Sequence, residues 1–125
     1  MYCNGAETGF QAFQRVDTTI NRTFPRETRW MKLSEIARYW AAKGLTKIER
    51  ASDAVTPDAP FACPDFTLRI RNTPAGPPQV TSGNSPVSLE ATSSVVELQP
   101  GRWRREGDET LVCWDLSRGT SRVSW

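Results

Sequence analysis

The chain has 125 residues, a formal net charge of +2 and no histidine. A chain of this length can bury a core of its own, whereas so small a net charge does not indicate a polyanionic partner such as nucleic acid. Because histidine is missing, a Ser-His or Cys-His catalytic pair within the chain is excluded, and the commonest metal ligand is absent.

The N-terminal part has the apolar spacing of an amphipathic helix. Large apolar residues recur every three or four positions over residues 10–20, which predicts a helix over residues 9–22. Thr8 and Gln11 are spaced as a capping box at its start, and Pro25 prevents its extension. No signal peptide is predicted, and no run approaches the roughly 18 apolar residues of a membrane span. The localisation is therefore not predicted.

A second helix is predicted after a short strand-like run. Residues 28–32 favour a strand, Ser34 suits the N-cap of the following helix, and Gly44 suits its C-terminal cap. We expect one apolar face of this helix to be covered in the folded protein, with Trp40 among the most buried residues. That face consists of Leu33, Ile36, Ala37 and Trp40.

Strand patterns dominate the rest of the chain. A strand is predicted over residues 45–49, and the alternation over residues 66–70 predicts another with one buried face. The apolar run over residues 111–114 predicts a strand buried on both faces. Residues 72–86 contain four prolines and two glycines, which predicts a loop.

Turn signals separate the remaining strands. A strand is predicted over residues 95–98, and turns are predicted at Pro100-Gly101, Gly107-Asp108 and Arg118-Gly119. Glycine in these turns supplies the positive φ that tight turns require. The pattern predicts five to seven strands over residues 51–125.

The predicted fold class is α+β with two modules. Residues 1–50 form an N-terminal helix–strand–helix element of α/β character, and residues 51–125 form a small antiparallel β-sandwich. The charge divides in the same way. The first module has nine Lys and Arg against five Asp and Glu, and the second has seven against nine.

The cysteines do not indicate a metal site. Cys3, Cys63 and Cys113 lack the C-x-x-C spacing of zinc sites, and without histidine a four-ligand site would need carboxylates. Neither a metal nor another cofactor is predicted. Cys63 and Cys113 lie in apolar runs, which favours two buried thiols, while a disulfide between them remains open for an oxidising compartment.

Four residues are candidates for a binding site, and no catalytic residue is predicted. Asp65 and Asp115 lie beside apolar strands and could face a groove, but carboxylates at strand ends also cap turns or pair with arginine. Trp103 and Arg104 place an aromatic ring next to a cation, as in surfaces that bind carbohydrate or single-stranded nucleic acid. The alternative places Trp103 in the core and its neighbouring arginines in water.

The segment Trp30–Lys43 resembles the last strand–helix unit of bacterial proteins in the polysaccharide deacetylase-like superfamily. In those proteins a modified (β/α) barrel is followed by a small β domain. Residues 2–5 and the first predicted helix are similar to the preceding βα turn. Residues 60–68 and 101–116 are similar to the appended β domain.

The resemblance implies a role in carbohydrate metabolism without catalysis by this chain. Members that deacetylate use an Asp and two His on a metal, with further catalytic Asp and His, and this chain has no histidine. It would therefore be a C-terminal fragment, a non-catalytic region of a carbohydrate-active enzyme that packs on or extends a missing catalytic barrel. The alternative is an independent β module that binds a glycan or a protein.

Overall fold

A computed structural model describes residues 6–26 and 28–125, which form an α+β protein, as the sequence predicts. Two helices come first, and two mostly antiparallel sheets follow. The chain divides into two units, Met1–Met31 and Lys32–Trp125, whereas the sequence predicts a division at residue 50. The turn predicted at residues 2–5, with Cys3, lies outside the described residues.

The smaller unit consists of helix α1, Ala6–Thr23, and the segment after it. The helix begins earlier than predicted, so position 8 lies inside it and not at its N-cap. It ends just before Pro25, as predicted. Trp30 Nε1 then donates a hydrogen bond to Asn21 Oδ1 at 2.7 Å, which ties the following segment to the last turns of the helix.

Helix α2, Leu33–Leu45, opens the larger unit. Glu35 Oε2 accepts a hydrogen bond from the Lys32 N–H at 2.9 Å, which satisfies an amide at the helix start. The strand predicted over residues 28–32 is wrong, because this segment pairs with no strand of the described residues. The predicted cap at Gly44 is also wrong: the helix continues through Leu45, and Thr46 N–H donates to Ala42 O at 2.9 Å.

Nine strands follow in the described residues, and eight of them lie within residues 51–125, where five to seven were predicted. They are β1 Lys47–Arg50, β2 Ala54–Ala59, β3 Cys63–Ile70, β4 Gln79–Ser82, β5 Ser85–Val87, β6 Glu90–Ala91, β7 Arg102–Glu106, β8 Glu109–Leu116 and β9 Gly119–Ser124. A five-stranded sheet has the order β1-β2-β9-β4-β5, and a four-stranded sheet has the order β3-β8-β7-β6. The β6–β7 pairing is parallel and the others are antiparallel.

The core contains side chains from both sheets. In the five-stranded sheet, Val123 is the direct cross-strand partner of both Val55 and Val80. In the four-stranded sheet, Val112 is the partner of Leu68. All five belong to one buried apolar cluster, so the sheets form the two layers of a sandwich. The alternation predicted over residues 66–70 and the two-sided burial predicted over residues 111–114 are both confirmed.

The turns predicted from glycine are present, but two other segments differ from the prediction. Gly107 has φ 61° and joins β7 to β8 in a two-residue hairpin, as predicted. The loop predicted over residues 72–86 is wrong in its second half, where β4 and β5 form a hairpin. Its prolines do not prevent this, because Pro86 lies in an edge strand, where an N–H is dispensable. The strand predicted over residues 95–98 is wrong, because that segment forms a turn with Leu98 N–H bonded to Val95 O at 3.1 Å.

Candidate functional site

The fold brings Asp65 and Asp115 together, although 50 residues separate them. The β3–β8 register shifts between Cys63 and Phe66, and Asp65 within this bulge has φ 55°. Its backbone N–H donates to Asp115 Oδ1 at 3.1 Å. The Asp115 carboxylate therefore satisfies a backbone N–H of the β-bulge. This contact corresponds to the interpretation in which the two carboxylates cap a turn, and not to a catalytic pair of general acid and general base.

The thiol of Cys63 lies next to this carboxylate pair. Cys63 is buried in the reduced state, as is Cys113. Burial raises the pKa of the Cys63 thiol; the cation of Arg38 opposes this rise, and the charges of Asp65 and Asp115 add to it. Because the thiolate is the nucleophilic form, a raised pKa makes Cys63 a weak nucleophile at neutral pH.

Asp115→Ala is expected to lower the free energy of unfolding by about 1 kcal/mol, because the Asp65 amide loses its acceptor. Asp115→Asn is the matched control, since it keeps a side-chain oxygen and should cost about half as much. Urea denaturation of both variants checks the prediction. Equal losses in the two variants would mean that the charge matters and the acceptor does not.

Trp103 and Arg104 do not form a platform together, because neighbouring residues of β7 point to opposite faces. Trp103 packs against the core cluster. Arg104 lies on the outer face of the four-stranded sheet, where it pairs with Glu106 at 3.1 Å and donates to Ser93 O. This arrangement is closer to the alternative interpretation for Trp103, which is partly buried and packs against the core cluster.

Ion pairs cover the outer face of the four-stranded sheet. Arg69 lies 2.8 Å from Glu109 and 3.6 Å from Glu106, and Glu109 also pairs with Arg71 at 2.8 Å. Leu111 lies between Arg69 and Arg104 in the register and is nevertheless buried, which fits coverage by the apolar stems of the two arginines. The charges on this face are therefore engaged with each other.

The next arginine of β7, Arg105, fixes a connection between strands. Arg105 donates to the carbonyl oxygens of Thr73 and Pro74 at 2.9 and 2.6 Å. Beneath it, the hydroxyls of Thr73 and Thr110 lie 2.6 Å apart and are buried. The contacts of Arg105 hold the start of the β3–β4 connection against the β7–β8 hairpin.

The structure brings together one pair of the four candidate residues and separates the rest. Asp65 and Asp115 lie on β3 and β8, whereas Trp103 and Arg104 lie on β7 with opposite orientations. Within the described part of the chain, no three Cys, Asp or Glu residues are placed to hold a metal ion. Among the same residues, neither helix is long and apolar enough to cross a membrane.

A different feature stands out on helix α2, and we call it the α2 stripe: Leu33, Ile36 and Trp40. Its members recur at helical spacing and expose 81%, 39% and 71% of their surface. The expectation that Trp40 is among the most buried residues is therefore wrong. The helix instead turns Tyr39 and Ala42 toward the sandwich, where both pack with the core cluster.

The helix is fixed by aromatic contact on its packed side. The Tyr39 ring lies 6.1 Å from that of Phe66, and Phe66 meets Trp114 edge-on at 5.6 Å and 78°. Burial raises the pKa of the Tyr39 hydroxyl, whereas its hydrogen bond with the Thr67 backbone lowers it. These contacts determine which side of α2 is exposed. The pattern of apolar residues along the helix does not determine it.

Comparison of this chain with protein-family models, with curated proteins and with solved structures finds no match.

Proposed function

We propose that the chain is a non-catalytic interaction domain that binds another polypeptide body through the α2 stripe. The body that fits the sequence resemblance is the (β/α) barrel of a polysaccharide deacetylase-like enzyme. The observation that carries the proposal is the exposure of Trp40 and Leu33 on a helix whose other side is anchored to a closed core.

The chemistry of the α2 stripe supports a protein surface as its partner. Trp40 is large and exposed, and tryptophan is among the residues that contribute most to protein–protein binding. Lys43 Nζ lies 5.9 Å from the centre of the Trp40 ring, so a cation borders the apolar surface. An apolar centre with a charged rim is the usual composition of such interfaces.

The anchoring of α2 supports a preformed surface. Since Tyr39 and Ala42 pack with the core cluster, the helix does not have to order on binding. Less conformational entropy is then lost when the α2 stripe is covered. Leu33 and Trp40 can remain exposed without weakening the sandwich, because their surface adds nothing to its core.

The carboxylates and thiols support a non-catalytic role. Asp115 accepts the Asp65 amide, and Cys63 has a raised pKa. The chain has no histidine to activate a nucleophile or to complete the metal site of the deacetylases that it resembles. The alternative, glycan binding by the sandwich itself, is weakened by Trp103, whose ring packs with the core.

Trp40→Ser is expected to abolish binding to the barrel while lowering the free energy of unfolding by less than about 1 kcal/mol, because the side chain is 71% exposed. The test mixes the chain with a separately expressed barrel, encoded upstream of this sequence or by a neighbouring gene, and measures binding by isothermal titration calorimetry. Val96→Ser is the matched control: Val96 is 56% exposed but lies outside the α2 stripe, so this variant should bind normally.

Three results would contradict the proposal. Equal binding by the Trp40→Ser variant and the wild-type chain would place the interface elsewhere. Binding of the isolated chain to a glycan array, with loss in Trp103 or Arg104 variants and not in Trp40→Ser, would favour the independent glycan-binding module. A loss of stability of about 3 kcal/mol in Trp40→Ser would show that the indole is buried.

A further inference from the structure

The two sheets end in four edge strands within the described residues, and three of them are blocked. An unprotected edge offers unpaired N–H and C=O groups to another strand. β5 contains Pro86, and β6 has only two residues. β3 contains Pro64 and a register shift, and Tyr39 of α2 bonds to its backbone at Thr67. The fourth edge is β1, which has neither a proline nor a bulge.

The backbone of β1 directs specific groups away from its neighbour. Hydrogen-bonded and non-hydrogen-bonded pairs alternate in an antiparallel ladder, and Ala51 N–H donates to Ala54 O at 2.8 Å. One and three residues before Ala51, the register therefore places Arg50 and Ile48 in non-bonded pairs with Val55 and Pro57. Proline has no N–H, which agrees with this assignment. The N–H and C=O of Ile48 and Arg50 therefore point outward from the sheet edge.

We propose that a second copy of this chain pairs with β1 in antiparallel orientation, about a two-fold axis at Ile48. A two-fold axis perpendicular to the sheet leaves each side chain on the same face of the sheet in both copies. Directly opposed residues of an antiparallel pair also share a face, so one residue must lie opposite its own copy, and the register is centred on that residue. Centring on Lys47 or on Glu49 would place like charges opposite each other. Centring on Ile48 places Lys47 opposite Glu49 of the second copy, and does so twice.

This register also uses the free backbone and apolar groups of the edge. The two Ile48 residues become a hydrogen-bonded pair with two N–H···O bonds. The N–H of each Arg50 can donate a hydrogen bond to Thr46 O of the other copy. The Thr46 N–H needs no partner there, because it already donates to Ala42 O of its own helix. Ile48 is 51% exposed and borders a groove with Leu68 and Ile70, so pairing covers an apolar side chain that the single chain leaves half open.

Charge reversal tests the register, with sedimentation equilibrium of the full chain as the measurement. The wild-type chain is expected to dimerise, and Lys47→Glu or Glu49→Lys alone should raise the dissociation constant about tenfold or more, because two attractive pairs become repulsive. The double variant Lys47→Glu/Glu49→Lys should restore the wild-type value. A mixture of the two single variants should form a heterodimer, since each supplies the charge that the other needs.

Ile48→Pro tests the edge itself, because it removes an N–H that points away from β2 and should leave the β1–β2 ladder intact. It is expected to be monomeric with a melting temperature within about 4 °C of the wild type. A wild-type chain that stays monomeric up to about 1 mM would overturn the proposal. So would a dimer that neither single charge variant weakens, or a double variant that associates no better than the single variants.

Discussion

Trp114→Ala is expected to lower the free energy of unfolding by about 3–5 kcal/mol. Trp114 is fully buried on β8, the strand that lies between β3 and β7 in the four-stranded sheet. Its ring meets the Phe66 ring edge-on at 5.6 Å. Removing the indole opens a cavity that surrounding strands, held by their ladders, can fill only in part. Domains of this kind have a total stability of about 5–15 kcal/mol, so the variant should be close to unfolding at 37 °C.

Guanidinium unfolding followed by circular dichroism measures this loss, and Trp114→Phe is the matched control. Trp114 Nε1 is buried without a hydrogen-bond partner among the described residues, so phenylalanine removes an unsatisfied donor while it keeps most of the apolar volume. We expect Trp114→Phe to cost about 1 kcal/mol. A loss of less than about 1 kcal/mol in Trp114→Ala would be incompatible with an indole at the centre of the core.

The parts of the fold that local patterns determine were predictable. Apolar and polar residues alternate over residues 66–70 because one face of β3 is buried and the other faces solvent. The β7–β8 hairpin follows from Gly107, whose φ of 61° suits a residue without a Cβ. The same reasoning failed over residues 79–87, because the prolines nearby suggested a loop. The strand there depends on the pairing of Val80 with Val123, which is distant in the sequence and leaves no local signal.

The exposed side of α2 could not be predicted from the helix alone. Its apolar residues occupy more than one sector, so the pattern permits either Trp40 or Tyr39 to face the sheets. The choice is made by Phe66, which offers its ring to Tyr39. The contact of Asp65 with Asp115 likewise depends on a bulge 50 residues from its partner strand. The relative placement of Trp103 and Arg104 was different, because strand alternation alone puts neighbouring residues on opposite faces of a sheet.

Phe66→Ala is expected to lower the free energy of unfolding by about 3–4 kcal/mol. Phe66 is 4% exposed and is the aromatic link between α2 and the sandwich, with Tyr39 on one side and Trp114 on the other. Its loss should therefore both open the core and release the helix. Release of α2 should appear as faster amide exchange at Ala42 and its neighbours, since local opening exposes helical amides that the packed state protects.

A double-mutant cycle separates the helix contact from the general loss of core packing. Phe66→Ala and Tyr39→Leu, alone and combined, should give a coupling free energy of about 0.5–1.5 kcal/mol, the usual value for an aromatic pair. Trp40→Leu is the control in the same helix, because Trp40 is 71% exposed and its effect should add to that of Phe66→Ala within about 0.5 kcal/mol. Coupling of Phe66 to Trp40 and not to Tyr39 would mean that α2 is rotated, with Trp40 facing the sheets and Tyr39 in solvent.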